Sequence, residues 1–232
     1  MSFNDYCNLY KTDKGNELPY GNNYANFYES WFSKIKETTT HICEIGVELG
    51  KSLKVHQDYF QNAQIFGLDV ENKSDYDTDR IKTFILDQSN SDNLDSFVSF
   101  CNSSNIKFDF ILDDGSHDVE HQQLTFGKLF PLVKSGGLYI IEDLGSSYFT
   151  LGTNLYGYIQ TQTKINNNTI KFLNQRPFSS VWISEENLDY INNSVEYVSI
   201  FDNCNKDLPY SNDFICENNY PIRSITSIIK KK

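Results

Sequence analysis

Two short apolar runs, Phe108 to Leu112 and Leu138 to Ile141, each stop abruptly in a pair of acids: Asp113 and Asp114 after the first, Glu142 and Asp143 after the second. Both runs have the length and apolar content of strands buried on two faces. Between them Phe126, Leu129, Phe130 and Val133 follow the i, i+3, i+4, i+7 period of a helix. The pattern predicts a strand, a crossover helix and a second strand. Such a crossover joins parallel strands, whose C-terminal ends lie at one edge of the sheet, the edge where α/β folds bind ligands. Four carboxylates and His117 would share that rim.

Like charges at one site repel and raise each other's pKa, so a divalent cation is the simplest way to hold several ionised carboxylates together. A single acid pair equally well caps the next helix or faces solvent. Two pairs on successive strand ends, with a histidine three residues past Asp114, favour the cation.

The same alternation runs through the preceding sequence. HICEIGVELGKSLKVHQDYF predicts a strand through Ile42 and Ile45, a glycine turn, and a helix carrying Leu53, His56 and Phe60. Its spacing, Glu44-x-Gly46-x-x-x-Gly50, differs from the dinucleotide fingerprint and from the P-loop, and taken singly is a weak sign of a nucleoside site. QIFGLDV predicts a second strand ending in Asp69, nineteen residues beyond Gly50. An acid there can accept from two neighbouring ribose hydroxyls, although it can also cap a loop. KTFILDQ predicts a third strand ending in Asp87 and Gln88, followed by a helix with Leu94, Phe97, Val98 and Cys101 on one face. The succession defines a Rossmann-like, doubly wound α/β fold.

A chain of 232 residues suits one such domain. We expect residues 1–40 to form an aromatic-rich helical segment, with Tyr24, Phe27, Tyr28 and Trp31 at helical spacing, and residues 41–232 to form the α/β domain. The turn Thr12-Asp13-Lys14-Gly15 reads only as a polar loop. A net charge of −11 argues against nucleic acid or an anionic membrane as partner. The five cysteines are scattered and form no CxxC pair, as in a reduced, cytoplasmic protein. No apolar run reaches the ~18 residues of a membrane span, and the N-terminus has no apolar signal core.

CEIGVELGKSL, GLDV, LDQSNSDNL, FDFILDDGSHDVEH, LFPLVKSGGLYIIEDLGSSY and the leading YKTDKG together resemble class I S-adenosylmethionine-dependent methyltransferases. The likeness is to the metal-dependent sugar O-methyltransferases of macrolide pathways, the mycinamicin and tylosin type, and to their relatives in polysaccharide gene clusters. It covers roughly residues 10–150, and its DDGSH and IED motifs, with Asp114 and Glu142 28 positions apart, are specific in combination. The resemblance implies a mostly parallel seven-stranded sheet with an antiparallel C-terminal hairpin at its edge, for which VEYVSIF and IRSITSII are the candidate strands. It implies S-adenosyl-L-methionine and Mg2+ as cofactors, Asp114, Glu142 and Asp143 as metal ligands, and His117 as general base. Glu44 and Gly46 would cradle the methionine part of the cofactor, Gly50 would also border the cofactor, Asp69 would hold its ribose, and Asp87 with Gln88 would border its adenine. Asp113 would lie on the opposite side of the strand from Asp114, or would contact the cofactor.

Magnesium on oxygen ligands can grip two sugar hydroxyls and acidify one, leaving a base to take the proton. At a helix start the dipole would keep His117 neutral, the form a base needs; His121, four residues on, would share its helix face. His41 and His56 read as structural.

Two departures from the family are visible. Asn22 and Asn23 stand before Tyr24 and Tyr28 where the family commonly has a histidine, and the macrolide enzymes' large extra N-terminal domain has no counterpart here. A nucleotide-linked or glycan sugar is then the expected acceptor, and a homo-oligomer is compatible with the sequence. The same fold acting on a phenolic diol or phosphorylated metabolite, or serving as a non-catalytic binding subunit, is the alternative. Beyond Ser147 the pattern weakens; Tyr148, Phe149, Tyr156 and Tyr158 are candidates to stack on a sugar or pack a core.

Overall fold

Strand β1 (His41–Ile45) lies between β2 (Gln64–Asp69) and β4 (Phe108–Asp113), parallel to both, and the chain changes direction of travel across the sheet at this point. The computed structural model describes residues 1–18, 22–144, 159–165, 168–173, 180–204 and 223–232. Beyond β2 lies β3 (Ile81–Ile85), and beyond β4 lies β5 (Val133–Ile141), all parallel. Helices α3 (Lys51–Tyr59), α4 (Ser91–Ser103) and α5 (Val119–Leu129) connect them, as right-handed crossovers require. The crevice between the C-terminal ends of β1 and β4 is the switch point where doubly wound folds bind ligands.

The sheet order is β3-β2-β1-β4-β5-β9-β8-β7-β6. Its first seven strands are the expected Rossmann-like frame, in which β9 (Arg223–Lys231) inserts antiparallel between β5 and β8 (Val195–Cys204). The hairpin is not the edge, however. β7 (Asn168–Leu173) pairs with the outer side of β8 and β6 (Ile159–Ile165) with β7, so among the described residues the seven-stranded frame is extended to nine strands. These two strands come from a stretch rich in amide and hydroxyl residues, where no strong period announces a strand. Tyr148, Phe149, Tyr156 and Tyr158 lie outside the described residues.

Alternation along β1, β4 and β5 sends side chains to opposite faces. Cys43, Ile45, Ile111, Tyr139 and Ile141 pack on Leu94, Phe97 and Cys101 of α4 and on Phe126 and Leu129 of α5. Ile42, Phe110, Leu112, Leu138 and Ile140 pack on the other face against Leu53 and Tyr59 of α3. Helices α1 (Phe3–Tyr10) and α2 (Ala25–Ile35) join that face through Phe3, Cys7, Phe27, Tyr28 and Phe32. The Phe32 ring stacks on Phe110 at 4.7 Å. Each such buried side chain contributes roughly 1.5–3 kcal/mol. The N-terminal helices are therefore a layer of the same core.

Helix α5 ends sooner than its apolar period suggests. Pro131 lacks an amide donor, so the chain passes from Leu129 into a 3-10 turn, Phe130–Leu132, and Val133 already belongs to β5. No helix among the described residues is long and apolar enough to cross a membrane.

Candidate active site

The ends of β1, β4 and β5 are level, with Ile45 opposite Asp113 and Asp113 opposite Ile141. Hydrogen bonds carry the alignment one residue further: the Asp114 amide donates to the Ile45 carbonyl and the Glu142 amide to the Asp113 carbonyl, each at 2.9 Å. Asp114 continues the alternation of Phe110 and Leu112, and Glu142 that of Leu138 and Ile140. Both carboxylates thus face the layer of α1 and α2. Asp113 faces α4 and α5 instead. Asp143 would follow it, but its backbone is left-handed (φ 51°) and brings its carboxylate round to Tyr24. His117 is also left-handed, at φ 58°. Two non-glycine residues in that strained region at one site are a mark of a functional loop.

The N-terminal segment supplies a donor to every acid of the cluster. Lys14 forms ion pairs with Asp114 Oδ2 and, at 3.0 Å, with Glu142 Oε2. Tyr28 donates its hydroxyl to Glu142 Oε1 at 2.8 Å, and Tyr24 donates to Asp143 Oδ1 at 2.7 Å. His117 Nε2 lies 3.7 Å from Asp143 Oδ2 and 4.0 Å from Asp114 Oδ1. Asp114, His117 and Asp143 offer ligand atoms all within 4.8 Å of one another, an arrangement able to hold a metal ion.

Charge in this cluster is not balanced. Burial works against the Lys14 charge, but Asp114 and Glu142 outweigh it and keep the ammonium protonated well above its ordinary range. Burial and then the Asp114 charge push Glu142 well above the usual carboxylate range, and burial raises Asp114 despite Lys14. One ammonium does not offset three carboxylates. A divalent cation would, so the donor set fits the metal that the sequence implies.

The glycine turn adjoins this cluster. Gly46 has φ 87°, and a Cβ placed there would lie 2.1 Å from the Asp114 carbonyl oxygen. Gly50, at φ 65°, packs under the Tyr76 ring. Glu44 is fully buried on the Lys14 side, with His56 Nε2 3.6 Å away, and neither oxygen receives a hydrogen bond of ordinary geometry. Burial raises its pKa to about 7, against the pull of Lys14 and Ser52. His56, stripped of solvent, is lowered to about 3 and so is neutral, the structural role expected of it. A buried carboxylate with no well-formed hydrogen bond, beside a glycine cradle, fits a ligand that brings its own ammonium group.

The remaining expected cofactor residues divide. Asp69 Oδ2 accepts from the amides of Val47 and Glu48 at 2.9 and 3.1 Å, bracing the glycine turn from the end of β2. Asp87 stays at the exposed end of β3, where the Ser89 hydroxyl and amide hold its carboxyl below the ordinary range. Gln88 and Asp113 are not brought to the rim. They bind each other inside the α4/α5 face, Gln88 Nε2 donating to Asp113 Oδ1 at 3.2 Å while its oxygen accepts from the Ser116 amide at 2.6 Å. The pair braces the DDGSH turn. His117 precedes the cap Asp118 instead of starting α5, so it does not share a helix face with His121, whose ring meets the Ser116 hydroxyl at 2.8 Å. Lys14 and the two tyrosine hydroxyls were not legible as site residues; the signals were the YKTDKG motif for Lys14 and the family's tyrosine pair for Tyr24 and Tyr28.

No protein-family profile matches the chain. Curated relatives do. It is 36% identical over 132 residues to the 8-demethyl-8-(2-methoxy-α-L-rhamnosyl)-tetracenomycin-C 3'-O-methyltransferase of Streptomyces olivaceus, covering 54% of this chain and 33% of that protein. It is 33% identical over 153 residues to the demethylmacrocin O-methyltransferase of Streptomyces fradiae, covering 63% and 37%. The mycinamicin VI 2''-O-methyltransferase of Micromonospora griseorubida is 36% identical over 129 residues, covering 53% and 31%. The chain thus spans about a third of the length of these relatives. Among solved structures, the mycinamicin-pathway methyltransferase MycE in complex with Mg and S-adenosylhomocysteine superposes with a TM-score of 0.57 at 32% identity, over 64% of this chain and 38% of that one. With mycinamicin VI also bound, MycE matches the fold of the whole chain at a TM-score of 0.63 and 23% identity, over 54% of its own length.

In fold and sequence the chain is similar to class I S-adenosylmethionine-dependent methyltransferases. Within that class it resembles the metal-dependent O-methyltransferases of macrolide-borne sugars, as the DDGSH and IED motifs imply.

Proposed function

We propose that this chain methylates a sugar hydroxyl, using S-adenosylmethionine as donor, a divalent cation, Mg2+, to bind the acceptor, and His117 as general base. The observation that carries the reading is the meeting of Asp114, His117 and Asp143 within 4.8 Å, at the switch point and against the glycine turn. Asp114, Glu142 and Asp143 would hold the cation. Glu44 and Gly46 would receive the methionine end of the donor, and Asp69 the ribose. Leu49, Val70 and Ile85, exposed at the ends of β1, β2 and β3, offer apolar surface to the adenine. Asp87 would border it.

A bound Mg2+ supplies Lewis acidity that lowers the pKa of a sugar hydroxyl. His117 Nε2 accepts the hydroxyl proton as the oxygen attacks the methyl carbon; the C–O bond forms, the C–S bond breaks, and sulfur leaves as a neutral thioether. Asp143, 3.7 Å from Nε2, stabilises the imidazolium that results. The glycine turn and the acid cluster fix donor and acceptor on one line, which is where most of the acceleration of such a displacement arises. We read residues 1–40 as part of the same domain, because Lys14, Tyr24 and Tyr28 reach the rim.

The relatives named above are O-methyltransferases of a rhamnosyl-tetracenomycin C, of demethylmacrocin and of mycinamicin VI. For this chain we infer a nucleotide-linked or glycan sugar and a place in cytoplasmic polysaccharide modification. The test is a panel of nucleotide sugars, free rhamnosides and catechols incubated with S-adenosylmethionine, with Mg2+ or with EDTA. Mg2+-dependent methylation of a sugar is expected; turnover of catechols alone would assign the site to phenolic diols. Absence of S-adenosylmethionine binding by calorimetry would mark a non-catalytic subunit.

A further inference from the structure

Lys14 has no assigned part in methyl transfer, yet its side chain is 3% exposed and ends between two of the acids that define the rim. The sequence does not bury it; tertiary structure does. The turn that carries it is pinned on both sides. Thr12 donates its amide to the Cys7 carbonyl at 3.0 Å, and the Asn16 and Glu17 amides donate to Asn8 Oδ1 at 3.1 and 3.2 Å. Past the turn, the Ala25 amide donates to the Lys14 carbonyl at 2.9 Å, joining it to the start of α2. A lysine held this firmly, with its ammonium hydrogen-bonded to Asp114 Oδ2 and ion-paired with Glu142 Oε2 at 3.0 Å, occupies oxygens that a divalent cation would also use.

The geometry points to Lys14 as a positioning residue that opposes cation binding: the rim's divalent cation and the docked Thr12–Gly15 turn weaken each other's hold on the same carboxylates. Two positive groups drawn to one set of oxygens repel each other in a site with little solvent to screen them. Coupling between sites is reciprocal, so whatever Lys14 takes from cation affinity the cation takes from the docking of the turn. Lys14 thereby lets the cluster fold without metal, and the arrival of metal is reported to the N-terminal segment. This rests on the reading that the rim binds a divalent cation.

The experiment is calorimetric titration of the full chain with Mn2+, comparing the wild type with Lys14→Met and Lys14→Arg. We expect Lys14→Met to bind Mn2+ at least about tenfold more tightly, within the usual range of allosteric coupling, and Lys14→Arg to bind like the wild type. Equal or weaker binding by Lys14→Met, with the wild type binding, overturns this inference and leaves the metal site standing. Failure of all three to bind overturns both. Should Lys14→Met not fold, hydrogen exchange on the wild type decides: Mn2+ is expected to speed exchange of the Gly15, Asn16 and Glu17 amides, and unchanged or slower exchange overturns the inference.

Discussion

The Tyr28 hydroxyl donates to Glu142 at 2.8 Å across 114 positions of sequence, and the same oxygen lies 2.9 Å from the Thr226 hydroxyl on β9. Thr226 in turn donates to the Ile141 carbonyl at 3.1 Å. One phenol thus joins α2, the end of β5 and β9 at the floor of the rim. Removing it leaves a fully buried carboxylate oxygen without its donor, and Tyr28→Phe is expected to cost about 1–3 kcal/mol. Urea unfolding of the two proteins checks this, and a difference below about 0.5 kcal/mol would show that the bond contributes little.

His117 separates chemistry from binding. Its ring lies beside Asp143 and Asp114, whereas the donor is assigned to Glu44 and Gly46 on the glycine turn. His117→Ala should lower kcat by about 10²–10⁴, the ordinary contribution of a general base, with S-adenosylmethionine affinity nearly unchanged. Calorimetry beside steady-state kinetics reads both, and equal loss of the two would remove the base assignment.

Gly46 is required for two separate reasons. Its φ of 87° strains any side chain, and an added Cβ would lie 2.1 Å from the backbone oxygen of Asp114, an atom tied into the strand end and unable to yield cheaply. Gly46→Ala is expected to destabilise the fold by about 1–3 kcal/mol and to abolish donor binding. Retained donor affinity would show that the turn does not approach the ligand.

The strand ends were legible because buried parallel strands are written as short apolar runs, and acids that close such runs have one place to go. Alternation also put Asp113 and Asp114 on opposite sides, which the structure bears out. What joins residues far apart in the chain was not legible. Lys14 looks like any lysine in a polar turn until the fold brings it to Asp114, 100 positions away. Gln88 looked like a residue bordering a cofactor, Asp113 like one turned away from the metal or touching the cofactor, and nothing local shows that they would satisfy each other. β6 reads Ile-Gln-Thr-Gln-Thr-Lys-Ile, and although Ile159 and Ile165 fall on one alternate face, two threonines separate them and the run is too poor in apolar side chains to announce a strand.

The pairing of Gln88 with Asp113 has a consequence for pH. Asp113 is fully enclosed, and burial raises its pKa to about 7 even though Gln88 and the Gly115 amide favour the charged form. In the unfolded chain its pKa returns to about 4. Between these values the folded protein holds a proton that the unfolded chain releases. The contribution of Asp113 to stability is therefore complete below about pH 4 and lost as pH rises through about 7. Asp113→Asn keeps an acceptor for Gln88 and does not titrate, so the stability of the variant relative to the wild type should rise between pH 5 and pH 8. Linkage bounds the change over that range at about 3 kcal/mol. His56, lowered to about 3, drives the wild type the opposite way as pH falls below its ordinary range, but it is present in both proteins and cancels in the difference. Thermal or urea unfolding of both across that range is the measurement. A difference independent of pH would mean that Asp113 is ionised in the fold at neutral pH, and that Gln88 with Gly115 outweighs its burial.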